Sequence, residues 1–136
     1  MARLVLLVLT IAFAGACLLP PDDTTQIRAL AHARAAALAR GDLTALYRLH
    51  DLDYRAVCPF TRFRALPPPA GGAVRAVEGI LVRGVRARAT LEVADGAALR
   101  SEPREFVRDG GRWYLYEDAA PCLVAGTQAM RDGDGR

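Results

Sequence analysis

Apolar residues recur with two different periods along this chain, and the change of period divides it in two. From Thr24 onward, Ile27, Leu30, Ala31 and Leu38 fall within a narrow arc at about 100° per residue. That spacing predicts a helix capped by Asp23 or Thr24, ending at Arg40 and stopped by Gly41. Asp42 can cap a second, shorter helix through Leu43, Leu46, Tyr47 and His50, and a third short one is expected within Asp53 to Arg64, with Cys58-Pro59 at or near its start. The run Pro67-Pro68-Pro69-Ala70-Gly71-Gly72 then breaks the pattern. Beyond it the period becomes two: Val85, Ala87, Ala89, Leu91 and Val93 alternate with Arg86, Arg88, Thr90 and Glu92. This is a strand with one side in a core and one in water. Val74 to Val82 reads as the strand before it, with Arg83-Gly84 as the turn, and Asp109-Gly110-Gly111 joins Glu105–Arg108 to Arg112–Glu117 as a hairpin. Helices first and antiparallel strands afterwards predict an α+β fold with the helices on one face of the sheet.

The 136 residues suffice for one domain, which excludes a multidomain enzyme. Formal charge is +3, carried by Arg without any Lys, and the Arg residues alternate with acids instead of forming a block, so no nucleic-acid partner is expected. The start of the chain reads differently. Met1 to Arg3 carry one cationic side chain, Leu4 to Phe13 are apolar or nearly so, and Ala14-Gly15-Ala16 precede Cys17. Ten such residues make a helix of about 15 Å, half of a bilayer's hydrocarbon thickness. Residues 1–16 are therefore expected to be a signal peptide. Ala14-x-Ala16 suits ordinary cleavage, giving a freely secreted protein. Ala-Gly-Ala-Cys also resembles a bacterial lipobox, and that resemblance implies a diacylated Cys17 as the new N-terminus. The expected layout is a lipidated Cys17 with a tether over 17–23, one domain over 24–124 and a disordered tail over 125–136. The protein would sit in the cell envelope, at the outer face of the cytoplasmic membrane.

Cysteine arithmetic agrees with the lipobox. With Cys17 acylated, Cys58 and Cys122 remain as an even pair in an oxidising compartment, which favours a disulfide over a catalytic thiol.

Three segments resemble the nuclear transport factor 2-like superfamily: the helix ending Ala37-Leu38-Ala39-Arg40-Gly41-Asp42-Leu43, the strand Val82 to Leu91, and the hairpin Phe106 to Leu115 with Asp109-Gly110-Gly111-Arg112-Trp113 at its centre. The resemblance implies a cone, a curved sheet wrapped around two or three helices with a pocket at its open end. The stretch between Cys58 and Ala73 departs from it, carrying Pro and Gly where many members place a strand pair. Enzymes of that superfamily, such as ketosteroid isomerase and scytalone dehydratase, rely on buried carboxylates, Tyr or His. Here the strand reads Arg86-Ala87-Arg88-Ala89 and the last hairpin offers Tyr without an evident inward acid, so catalysis is disfavoured.

A few residues carry candidate chemistry. Arg34 shares the arc of Ile27, Leu30 and Leu38 and can reach into a pocket to bind an anion, or pack its stem while its head snorkels out to solvent or pairs with a strand acid. His50, Asp51 and Asp53 are the densest group of metal-ligand types, but two ligands on one helix face do not make a site, and a solvated helix end is expected there. His32 lies off the apolar arc. Tyr47, Tyr54 and Trp113 complete the candidate pocket, with Trp113 expected in the core. No metal or cofactor is implied. Arg86 and Arg88, on the wet face of their strand, form a candidate surface for an acidic envelope protein or a second copy of the chain. Taken together, these residues suggest a lipid-anchored binding or accessory domain with a small, dry pocket for an apolar ligand. The alternatives are a small cofactor-free isomerase, dehydratase or cyclase-like enzyme using Tyr47, Tyr54 or His50, and a structural cell-surface interaction module.

Overall fold

The computed structural model describes residues 21–124. The expected signal peptide, the expected lipid on Cys17 and the tail expected over 125–136 fall outside the described residues.

The chain forms α1 (Asp23–Arg40), α2 (Leu43–Arg48), α3 (Leu52–Val57), α4 (Phe60–Phe63), β1 (Ala73–Arg83), β2 (Arg86–Asp95), β3 (Ala98–Asp109) and β4 (Arg112–Tyr116). The α+β class is as the two periods imply. Helix α1 begins one residue earlier than its pattern suggests, because Asp22 is the cap: its Oδ1 accepts the Thr25 N–H at 2.7 Å. Asp23 is thereby released for another role, accepting the Trp113 indole N–H at 2.9 Å, with Arg108 at 3.3 Å. At the other end Gly41 takes φ 63°, and the Asp42 N–H reaches back to the Ala37 carbonyl at 2.9 Å. Asp42 and Asp51 then cap α2 and α3 in turn. The third helix predicted over Asp53 to Arg64 is two pieces, α3 and α4, because Pro59 disfavours helical backbone at Cys58.

The four strands form one antiparallel sheet in the order β1-β2-β3-β4, each joined to the next by a two-residue turn. Val85 is not the first inward residue of β2. It occupies the Gly84-Val85 turn, 57% exposed, and β2 begins at Arg86. Strand β3 runs seven residues further back than the hairpin signal at Asp109-Gly110-Gly111 indicates, through Pro103. Proline is tolerated because β4 pairs only with Glu105 to Asp109, so beside Pro103 one side of β3 has no ladder to donate to.

One face of the sheet is covered. Ala87, Ala89, Leu91 and Val93 of β2, Phe106 of β3, and Trp113 and Leu115 of β4 pack with Ile27, Leu30 and Ala31 from the first half of α1. A second core holds Ala37 from the latter half of α1 together with Leu46, Tyr54, Cys58, Phe63 and Cys122. The Cys58–Cys122 disulfide, with Cα atoms 5.7 Å apart, lies inside this second core and closes a separation of 64 residues. Arg34 sits on α1 between the two.

The free edge of β4 is also covered. The chain leaving α2 runs alongside it, the Leu115 N–H donating to the Leu49 carbonyl at 2.8 Å and His50 bridging to Leu115. This pairing draws His50 inward. The expectation of a solvated helix end is therefore corrected: α2 stops at Arg48, His50 is buried against the sheet edge, and Asp51 is buried as the cap of α3. Asp53 alone of the three is exposed.

Candidate functional site

Between the two cores lies a cavity of about 120 Å³ lined by Arg34, His50, Tyr54 and Glu117, by Leu43, Leu46, Phe63 and Leu66, and by Pro67 to Pro69. It has the volume of roughly four waters. Each polar wall comes from a different element. Arg34 comes from α1, His50 from the loop pinned to β4, Tyr54 from α3, and Glu117 from the residue just past β4.

Arg34 is 3% exposed. One nitrogen, Nη1, lies 3.7 Å from Glu102 Oε2, while Nε and Nη2 are buried without a hydrogen-bond partner. Burial, reinforced by the Arg104 charge, holds the Arg34 pKa below its ordinary value in spite of Glu102 and Glu117. Glu102 is itself occupied by Arg100 at 2.8 Å and Arg104 at 2.9 Å, and Arg104 extends to Glu117 at 3.3 Å. The other Glu117 oxygen lies 3.2 Å from His50 Nε2. That contact is close but not aligned as a hydrogen bond, so Nε2 also remains without one. His50 Nδ1 lies 3.1 Å from the Leu46 carbonyl, an arrangement that requires Nδ1 to carry its hydrogen and points Nε2 at Glu117. Burial alone would raise the Glu117 pKa, but His50, Arg104 and Arg34 together hold it below the usual carboxylate range. Glu102 follows the same pattern, with Arg104 and Arg100 outweighing burial.

Tyr54 stacks on the His50 ring, with centroids 4.4 Å apart. Burial, with the Glu117 charge beside it, pushes the Tyr54 phenol up to about 12. A folded-state value above the unfolded 10.0 means that this contribution to stability is intact below pH 10 and is lost as pH climbs toward 12. The expected result is a tyrosine ultraviolet ionisation step at about pH 12 that coincides with alkaline unfolding. A Tyr54→Phe chain should lack that late step; if the late step persists, it belongs to another tyrosine.

Of the residues the sequence singled out, Arg34, His50 and Tyr54 meet at this cavity. Tyr47 and Trp113 do not. The Tyr47 hydroxyl is committed to the Arg55 and Cys58 carbonyls and its ring packs on Phe60 and Phe63, while Trp113 belongs to the other core, beside Asp23. The β2 face of Ala87, Ala89, Leu91 and Val93 lies in the first core and does not line the cavity. His50, Asp51 and Asp53 diverge, and among the described residues no three His, Cys, Asp or Glu side chains are grouped to hold a metal.

Sequence reasoning missed Glu117, Glu102 and Arg104. Glu117 corrects the reading that the last hairpin lacks an inward acid. The signal for the other two was alternation: Arg100, Glu102 and Arg104 face Val93, Leu91 and Ala89 across the ladder, so β3 sets three charges in a row on the inner side of the sheet.

No family model and no curated protein matches the chain. Among solved structures it is similar to the solution structure of a SEC-C motif containing protein from Rhodopseudomonas palustris, at 24% identity and a TM-score of 0.48, over 65% of this chain and 73% of that one. That neighbour is named for a SEC-C motif, and no family model places the chain in the nuclear transport factor 2-like superfamily, so the resemblance drawn to it is corrected. The three segments that carried it do form a helix end and two hairpin pieces. Helix-Gly-Asp and Asp-Gly-Gly, however, are general solutions for stopping a helix and turning a strand, available to any fold. The cone rested on that resemblance alone; the described sheet is open and four-stranded.

Proposed function

We propose that the domain is a binding module that takes a small carboxylate, or an oxyanion group of similar size, into the cavity between its two cores. We further propose that it works outside the cytoplasm, held to the membrane through Cys17. The observation that carries the reading is a buried guanidinium on the cavity wall with two nitrogens, Nε and Nη2 of Arg34, that have no hydrogen-bond partner. Buried polar groups are paired in the great majority of cases, and an unpaired one costs about 1–3 kcal/mol. A bound anion would supply the missing acceptors. The walls of Leu43, Leu46, Phe63 and Leu66 suit a short apolar stem behind the charged head. A closed structural core is disfavoured by the same cavity. The buried disulfide supports export, since such bonds persist in oxidising compartments.

Calorimetric titration with acetate, propionate and pyruvate, each set against its uncharged amide, tests the proposal. Saturable binding of at least one acid at one site, without binding of the matching amide, is expected. Equal binding of acid and amide, or no binding of any acid, would sink it.

The Glu117–His50 contact favours a second reading, acid–base chemistry on the same ligand, because a base and a proton carrier then face one point. If a bound carboxylate exchanges its α-hydrogens in deuterated water with wild-type protein but not with His50→Gln, while still binding that variant, the enzyme reading gains over the simple binding module.

A further inference from the structure

The β1–β2 hairpin ends in a group of cations that make no salt bridge among the described residues, with Glu105 of β3 opposite Arg88 as the one acid across a ladder from them. Arg83 and Arg86 are directly opposite each other across the ladder, and Arg88 lies two residues along, opposite Leu81. Like charges facing each other across strands are destabilising. Among the described residues none of the three has an acid within 4.0 Å, although other arginines of the sheet, Arg100, Arg104 and Arg108, all have one. The three arginines line a groove of about 320 Å³ on the uncovered face of the sheet, with Leu81 and Ala87 between them and Glu105 as its only acid. Arg86 is held in place there, its Cζ 3.9 Å over the Tyr116 ring. At the tip of the same hairpin Val85 is 57% exposed, and Leu81 beside the groove is 37% exposed.

We propose that this hairpin is a docking site for an anionic phospholipid surface, with Arg83, Arg86 and Arg88 contacting headgroup phosphates and Val85 and Leu81 entering the interfacial layer. Charge complementarity selects an anionic occupant. The exposed aliphatic Val85 and Leu81 beside these cations favour a lipid surface, because interfacial anchors combine basic and apolar side chains. The site is separate from the cavity near Arg34, and its test does not depend on what that cavity binds.

The experiment is sedimentation of the full chain carrying Cys17→Ser, which removes the acyl anchor, with vesicles of phosphatidylcholine alone or with roughly one third phosphatidylglycerol at low salt. The leader, if retained, brings Arg3 and the same anionic preference to wild type and triple variant alike, so its share drops out when the two chains are compared. Each Arg near an anionic surface adds about tenfold or less, so the three together should favour the anionic vesicles by on the order of 100-fold. That preference should vanish in Arg83→Gln/Arg86→Gln/Arg88→Gln and at high salt. The three side chains are exposed and make no salt bridge, and the one ring contact, Arg86 on Tyr116, lies at the surface, so the variant should keep its circular dichroism and its disulfide. Equal partition into both vesicle types would overturn the proposal, as would an undiminished preference in the triple variant. Tight binding of polyglutamate by the wild type alone, with no vesicle preference, would assign the face to an acidic protein instead.

Discussion

Loss of the Cys58–Cys122 bridge should cost the domain about 4 kcal/mol, from the entropy that a 64-residue separation returns to the unfolded chain. Domains of this size are stable by roughly 5–15 kcal/mol in all, so this one bond accounts for a large share. Its placement concentrates the effect. Cys58 ends α3, and Cys122 follows the last strand; both are in the second core with Tyr54 and Phe63. The first core has no such tie and relies on Ile27, Leu91, Phe106 and Leu115, all essentially inaccessible to water. A Cys58→Ala/Cys122→Ala chain should therefore unfold at a much lower urea concentration. Hydrogen exchange should accelerate first in α2 to α4, with the sheet protected longer. Both sulfurs are buried, so a reductant should act on the wild type only as fast as the second core opens. A cost below about 1 kcal/mol would mean that the unfolded chain is already compact around this pair.

The parts of the fold that could be read in advance were those set by local chemistry. Helix α1 has a periodic apolar arc, an acidic start and a glycine stop within one continuous segment. Strand β2 alternates without interruption, and residues 24–124 hold only two cysteines, which leaves one pair to make. The parts that could not be read depend on partners distant in sequence. Strand β3 is hidden because Pro103 lies within it and because its inner row of Arg100, Glu102 and Arg104 reads as a solvent face. Those charges can turn inward because they compensate one another, Glu102 standing between Arg100 at 2.8 Å and Arg104 at 2.9 Å, with Arg34 of α1 at 3.7 Å.

The cavity illustrates the same limit. His50 looks like a helix-end residue until its backbone is seen to bridge to Leu115, a contact spanning the whole strand half of the chain. Glu117 looks like the first residue of a loop, yet it reaches both His50 and Arg104 because β4 stops one residue before it. In neither case does the local pattern carry the information. Arg34 was the exception: a charge within an apolar arc is unusual enough to be noticed from the sequence, and it proves to be the most deeply buried charged side chain among the described residues.

That burial leads to the second large effect. Replacing Arg34 with Met should make the empty protein more stable while sharply weakening the carboxylate binding proposed for it. Two opposing terms set the sign of the stability change. Removing the guanidinium deprives Glu102 and Glu117 of a neighbour, but Glu102 keeps Arg100 and Arg104, and Glu117 keeps Arg104 and His50. Against that loss stands relief from a buried cation that has two unpartnered nitrogens and lies close enough to Arg104 to be repelled. Exchanging poorly compensated buried charge for an apolar chain of similar length is often stabilising by about 1–4 kcal/mol. In a domain of this size each kcal/mol moves the melting temperature by about 4–8 °C. Binding should move the other way, falling on the order of a thousandfold, because truncating one partner of a buried charge pair costs several kcal/mol. Arg34→Lys separates charge from geometry: it keeps the cation, loses the planar fork, and should bind weakly without the gain in stability. Thermal melts and titrations of the three chains decide the matter together. If Arg34→Met melts well below the wild type, the guanidinium is a structural brace for Glu102 and Glu117, and the cavity loses its claim to a ligand.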